Sequence, residues 1–481
     1  MTGPADLGEV RAHTVLADAD GTPYSSLRQR PVARAERYAL GKALRKRVPR
    51  SSLGEWTPAP DRPDPVQQIV ESHCGRVERL VPIRVARMVA SPYGFLRGTA
   101  VVMAEDVAQL PATGITPVVC GDAHLGNFGF YASPERDLVI DLNDFDEAHP
   151  GGWEWDLRRL VASIWVAGRH NGASEDGCAA AVSSCVSAYR EELRHLADQP
   201  LMSRSYERLD VDRLEQETAG PLRAEVERAA RRARQRTSDR ALPRFTQQVG
   251  GRRRIVEEPP LITRVSDSDA ELLGVALDGY LETLAPHWRR VLGGYTLVDI
   301  AHKVVGVGSV GLRAYVALLE GSSPEDVVFL QLKQARRSVL ARYVHGESAW
   351  HHHQGQRVVE YQQALQTVSD PLLGWATVSG RDDDVHQYYV RQFRNMKGTV
   401  ALDAIDAAAL ADYAGVVGHL LAKGHARTSG ASMIAGYVGG SAKVDDALCR
   451  FARAYADQTE ADHAALVAAV ARGVLPVEPG V

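Results

Sequence analysis

The stretch CGDAHLGNFGFYASPERDLVIDLNDFDEA, Cys120 to Ala148, gathers oxygen-bearing side chains around two apolar runs. The first run, TPVVC, ends at Gly121, a residue that permits a sharp turn, and Asp122 follows where a side chain can be held at a cleft. Asn127 comes five positions later. The second run, DLVIDLN, ends in Asp144-Phe145-Asp146, so two paired strands would present Asp122, Asn127 and Asp144 at one end. Such oxygens suit Mg2+, a hard cation that keeps water and substrate phosphates in its shell. With Asn127 and Asp144 as metal ligands, Asp122 is left to orient an acceptor hydroxyl, which is the division of labour in phosphoryl transfer. Asp141 is the alternative to Asp144. Taken singly, these are common turn residues, and Asp141, Asp146 and Glu147 also read as solvated acids. Asp156, in the WEWD that opens the next helix, is expected to anchor the turn by hydrogen bonds rather than touch substrate.

A phosphate cradle is a separate requirement, and HKVVGVGSVGLRAYVALLEG offers one. Gly306, Gly308, Ser309 and Gly311 lie between two strand-like runs. A dinucleotide-binding turn would open a helix there, whereas a glycine loop joining two strands fits backbone N–H groups closing over nucleotide phosphates. The next run, DVVFLQLKQA, places Lys333 inside an apolar strand, where burial is costly without a counter-charge. Bound phosphates and a helix glutamate would supply it. Glu360, in GQRVVEYQQALQ, is the expected partner, and Glu347 the alternative.

Four segments must position these groups. Residues 1–65 are polar, rich in Arg and end in PAPDRPDP, an expected extended arm. Residues 66–290 carry helical periodicity around the acid-bearing stretch, including WEWDLRRLVASIWVAG. Residues 291–397 form a small lobe that holds the glycine loop and Lys333, with 295–335 alternating like strands. Residues 398–481 return to helix. The class is α+β, a helix-rich large lobe with a small antiparallel-sheet lobe.

Composition narrows the functions available. The formal charge of −4 and a pI near 6.5 favour neither generic nucleic-acid binding nor a membrane surface. No apolar run is long enough for a bilayer and the opening residues lack a signal pattern, so a cytoplasmic location is expected. Five scattered cysteines read as small buried hydrophobes. The arginines of 221–254 read as a solvated helix face, His351 to His353 as surface histidines, and Arg381 to His386 as a charged turn.

The acid-bearing stretch resembles the HGD-x4-N, then IDF or IDW, then D signature of aminoglycoside and choline phosphotransferases, with Cys120 where histidine is usual. VPRSSLGEW, RPDPVQQI, RLVPIRVARMVASPYGFLRG, CGDAHLGNFGFY, DLNDFDEAHPGGWEWDLRRLVAS, KVVGVGSVGLRAYVALLEG, GQRVVEYQQALQ and YYVRQFRNMKG are similar, in order, to the bacterial domain-of-unknown-function family 2252. The phosphotransferase resemblance implies a protein-kinase-like two-lobed fold. Since the glycine loop follows the acid-bearing turn in the chain, it also implies a circular permutation, unless the two pieces are unrelated. The expected function is ATP- and Mg2+-dependent transfer of the γ-phosphate to a hydroxyl, with a small-molecule acceptor favoured. A nucleotide-binding pseudokinase scaffold, AMP transfer and protein phosphorylation are the alternatives.

Overall fold

The three- and four-residue apolar spacing of the long helical segments places one buried stripe on each, and these stripes meet in a shared core. The structure, a computed structural model, describes residues 32–344, 351–380, 385–428 and 430–478. Its helical body is built on Trp153–His170, Glu175–Asp198, Ala407–Thr428 and Lys443–Ala471. Trp153 stacks on Tyr189 at 6.0 Å between ring centroids, and Arg190 pairs with Asp445 at 3.0 Å.

A six-stranded antiparallel sheet forms the second unit. From edge to edge its strands are Gly374–Ser379, Val385–Gln392, Val327–Gln334, Ala314–Glu320, Thr296–Lys303 and Ile262–Arg264. Consecutive strands from Thr296 to Gln334 are hairpin neighbours, and the register sets Lys333 opposite Ala314 on one side and Tyr389 on the other. The helix Gln354–Leu365 follows the lysine strand. A separate two-stranded hairpin, Phe128–Ala132 with Leu138–Leu142, belongs to the helical body, and both its strands are wholly buried. The link after Gln392 reaches it directly: Gly398 and Phe130 exchange backbone hydrogen bonds of 2.7 and 3.1 Å.

Mixed α and β architecture with small antiparallel sheets therefore agrees with the reading from sequence. Two boundaries differ. Residues 32–65 are no extended arm, because Arg34–Leu44 is a helix and Val48 and Leu53 enter the main core. The sheet unit begins before 291: the helix Asp267–Leu281 buries Leu273, Leu277 and Tyr280 against strand residues Leu330 and Val390. That helix carries the same 3.6-residue period as those of the large body, and periodicity does not say which sheet or bundle a stripe faces.

Within the histidine run His352 is exposed, as expected, whereas its two neighbours have structural contacts. His353 caps the Gln354–Leu365 helix, its Nδ1 accepting the Gln356 N–H at 3.0 Å, and His351 packs edge-on against Tyr361. The charged turn expected from Arg381 lies, through Asp384, outside the described residues, and His386 falls in the edge-side strand. The helix Gly220–Arg234 does carry solvated arginines, with Arg223 pairing Glu227 one turn on. The cysteines are all free, and Cys120, Cys178 and Cys185 are buried. No helix among the described residues is long and apolar enough to cross a membrane.

Candidate active-site cleft

The acid-bearing turn is assembled by backbone hydrogen bonds to a buried carboxylate. Asp156, one turn into its helix, accepts the Cys120 N–H at 2.6 Å on one oxygen and the Gly121 N–H at 2.8 Å on the other. His425 approaches the same group at 3.3 Å. Gly121 sits at φ +79°, and a Cβ there would lie 2.3 Å from the Glu147 carbonyl oxygen. Left-handed backbone and backbone contact both exclude a side chain. Gly121→Ala is accordingly expected to destabilise the protein by about 1–3 kcal/mol, read as a lowered urea midpoint; an unchanged midpoint would show that the turn is not held as described.

The hairpin register then delivers the other oxygens. Phe128 pairs with Leu142, so Asn127 and Asn143 meet just past the strand ends, where Asn143 N–H donates to Asn127 O at 3.0 Å. The Asn127 amide nitrogen donates to the carbonyls of Asp122 and Asp144 at 3.1 and 3.0 Å. With that nitrogen spent, the side-chain oxygen is the atom left to ligate a cation. Cys120 lies beneath: its thiol donates to Asp144 O at 3.2 Å. Burial and nearby Asp156 hold that thiol well above its ordinary range.

Among the described residues, the Asp122 side chain is gripped from one side. Arg159 donates to its Oδ1 at 2.8 Å. Burial pushes the Asp122 carboxyl up to about 6 even though Arg159 pulls the other way. A carboxylate of that kind is charged near neutrality yet basic enough to receive a proton.

Opposite stands Lys333, buried and bracketed by two acids: Asp144 at 3.1 Å and Asp146 at 2.5 Å. Burial alone would disfavour both charges, but the pair outweighs it, holding Lys333 protonated and Asp144 down to about 2. Asp146 also accepts from Tyr389 OH at 2.9 Å and from Ser309 Oγ at 3.1 Å. Asp146 thus ties the lysine strand to the glycine loop and is not a solvated acid. Asp141 is not one either. It points away from the cleft and pairs with Lys423, both fully inside the core.

Glu360 does not reach Lys333. Its carboxylate accepts from Gln356 within its own helix, while Arg357, three residues earlier, faces the cleft loop and donates to the carbonyls of Asp146 and Ala148. The helix presents a cation to the loop, and the counter-charge for Lys333 comes from the loop itself. Glu347 lies outside the described residues.

The glycine loop joins two antiparallel strands, as its flanking sequence suggested. Gly306 has φ +69°, conformation open to glycine at no cost. The loop is docked on the helical body: Arg87 donates to Gly306 O, Arg76 to Val310 O and Val77 N–H to Gly311 O. One cavity of about 630 Å³ is lined by Asp122, Asn127, Asp144, Lys333 and the loop residues Gly306, Gly308 and Ser309. Gly311 and Glu360 do not line it. Among residues that sequence reading did not single out, Arg159, Arg357 and Arg391 hold or line the site. Their positions in ordinary helix and strand patterns gave no local signal.

A helical body and an antiparallel sheet line one cleft in which an acid-bearing turn faces a lysine strand, and the class is α+β. A family model described as an uncharacterized protein conserved in bacteria (DUF2252) matches residues 76–469, and the chain belongs to that family. No curated protein and no solved structure matches.

Proposed function

We propose that this protein is an ATP- and Mg2+-dependent phosphotransferase that moves the γ-phosphate to an acceptor hydroxyl. The observation that carries the reading is the convergence of Asp122, Asn127 and Asp144 with Lys333 and the glycine loop on one cavity, although the turn and the loop are separated by more than a third of the chain. Counting from the glycine-loop hairpin, Lys333 stands on the third strand and a helix follows, the succession found in protein kinases. The helix Ala407–Thr428 ends beside the strand that leads into the turn, with Val118 N–H donating to Thr428 Oγ1 at 3.2 Å. A chain cut and rejoined to place that helix and the sheet unit ahead of the turn would have ordinary kinase order, which supports a circularly permuted kinase-like fold.

The donor set fits Mg2+. The Asn127 side-chain oxygen and the Asp144 carboxylate are hard oxygen donors lining the cavity, and Mg2+ takes the rest of its shell from water and phosphates. Asn127 and Asp144 would hold it, and Mg2+ supplies neutralisation of the charge that builds on the phosphates. In the free protein Lys333 occupies Asp144; with nucleotide present, its charge serves the phosphates and Asp146 remains its partner. Asp122, fixed through Oδ1, keeps Oδ2 for the acceptor proton. The new bond joins acceptor oxygen to phosphorus, the bond from phosphorus to ADP oxygen breaks, and the proton passes to Asp122 and on to solvent.

Calorimetric titration with Mg·ATP tests this reading. Wild-type protein should bind at one site per chain, chelation of Mg2+ should abolish binding, and Lys333→Met should weaken it at least about tenfold, the value of one charge-assisted contact. Absence of Mg·ATP binding, or equal affinity in the Lys333→Met variant, would contradict it. Binding with no ADP formed on any acceptor would point to a pseudokinase scaffold, and an acceptor gaining AMP rather than phosphate would point to adenylyl transfer.

A further inference from the structure

Cations outnumber acids in the lining of the cleft. Nine Lys and Arg side chains line it against six Asp and Glu, in a chain whose overall balance is acidic. Several of the nine are satisfied: Lys333 by its two acids and Arg342 by Glu105. Arg76, Arg84 and Arg336 make no ion pair with a carboxylate among the described residues, all three line the cavity, and they are close enough for their charges to couple. Arg84 is 2% exposed. Two of its nitrogens are used, donating to His73 Nε2 and Gly98 O at 2.7 Å each, while its buried Nε has no partner. Arg76 spends its guanidinium on the carbonyls of Ser72 and Val310. Arg336 is exposed into the cleft.

We infer that Arg76, Arg84 and Arg336 form a second anion site, distinct from the nucleotide's, that takes a phosphate group. This rests on the phosphotransferase reading only for naming the bearer: within that reading the phosphate belongs to the acceptor. A buried guanidinium without a carboxylate is costly unless a ligand compensates it, and the planar fork of arginine matches phosphate oxygens in pairs. Burial, together with repulsion among these cations, holds Arg84 well below its ordinary range and Arg76 down to about 10. A dianion relieves both costs. The triphosphate has other partners, since Lys333, the loop amides and Mg2+ offset most of its charge.

The test is titration of the full chain with inorganic phosphate, at low ionic strength, alone and in the presence of saturating Mg2+ and a non-hydrolysable ATP analogue. Phosphate should bind in both cases, and Arg336→Gln should weaken it about tenfold while leaving analogue affinity within about twofold. Lys333→Met should leave phosphate binding intact. Because Arg336 is exposed, its replacement does not threaten the fold. Displacement of phosphate by the analogue, or equal phosphate affinity in Arg336→Gln, would overturn the inference. Failure of the analogue to bind while phosphate still does would instead sink the nucleotide reading and leave the anion site standing. Two further arms separate the sources. Sugar monophosphates accelerating ADP release beyond their unphosphorylated parents would assign the site to the acceptor, whereas phosphate binding with no such acceleration would assign it to a free anion.

Discussion

Asp122→Asn is expected to lower ADP release from Mg·ATP by roughly 10²- to 10⁴-fold, the contribution of one positioned base. Water serves as acceptor in the simplest form of the assay, so no substrate need be known. The substitution is nearly isosteric, and the amide oxygen can still accept from Arg159, which at 2.8 Å is the group that fixes the side chain. Folding and Mg·ATP affinity should therefore stay close to wild type. The change removes only the capacity of the second oxygen to draw on the acceptor proton. A variant with full turnover and unchanged nucleotide affinity would remove Asp122 from the chemistry.

Lys423→Met is expected to cost about 3 kcal/mol of stability, the lower end of what leaving one half of a buried ion pair unpaired removes. Lys423 is wholly buried and Asp141 is 2% exposed. The ammonium donates to Asp141 Oδ2 and to Thr367 Oγ1, the latter at 3.2 Å. Without it the carboxylate stays inside the core with no adjacent cation, held by the Leu142 N–H at 2.9 Å and offset by the more distant Arg427, whose charge couples to it. Equilibrium urea unfolding measures the loss, with Lys423→Met/Asp141→Leu as the control: two apolar groups of similar volume should recover most of it. If the single variant unfolds at the wild-type midpoint, the pair is not structural. Since this pair joins the Ala407–Thr428 helix to the buried hairpin, its strength bears on how firmly the cleft end of that hairpin is held.

The contrast between Asp141 and Asp144 shows what the chain alone could and could not reveal. Both lie in DLVIDLNDFD. The strand runs only through Leu142, so Asp141 keeps the strand's alternation and turns into the core, while Asp144 follows past the strand end and reaches the cleft. That distinction depends on where the hairpin closes, which apolar patterning places within a residue or two at best. The glycine loop was more legible, because strand-type runs on both sides leave little alternative to a hairpin. Lys333 was legible as a cation inside an apolar strand, but its partner was not. Asp146 and Glu360 are both plausible acids by type, and only the packing of Arg357 against the loop shows which one approaches. Residues 32–65 misled through composition: arginine and proline suggested solvent exposure, yet Arg45 and Arg50 spend their guanidinium groups on the carbonyls of Gly436, Tyr437 and Val438. Arg76 and Arg84 lie eight residues apart, but Arg336 comes from about 250 residues further on, and its meeting with the other two is a property of tertiary structure alone.

A crystal structure of the full chain with Mg2+ and a non-hydrolysable ATP analogue tests the central claim most directly. The β- and γ-phosphates should lie beneath the Gly306–Ser309 backbone within hydrogen-bonding reach of Lys333, with the metal between them and the oxygens of Asn127 and Asp144. Nucleotide bound elsewhere on the molecule, or phosphates seated in this cleft with Asn127 and Asp144 remote from the metal, would contradict the account.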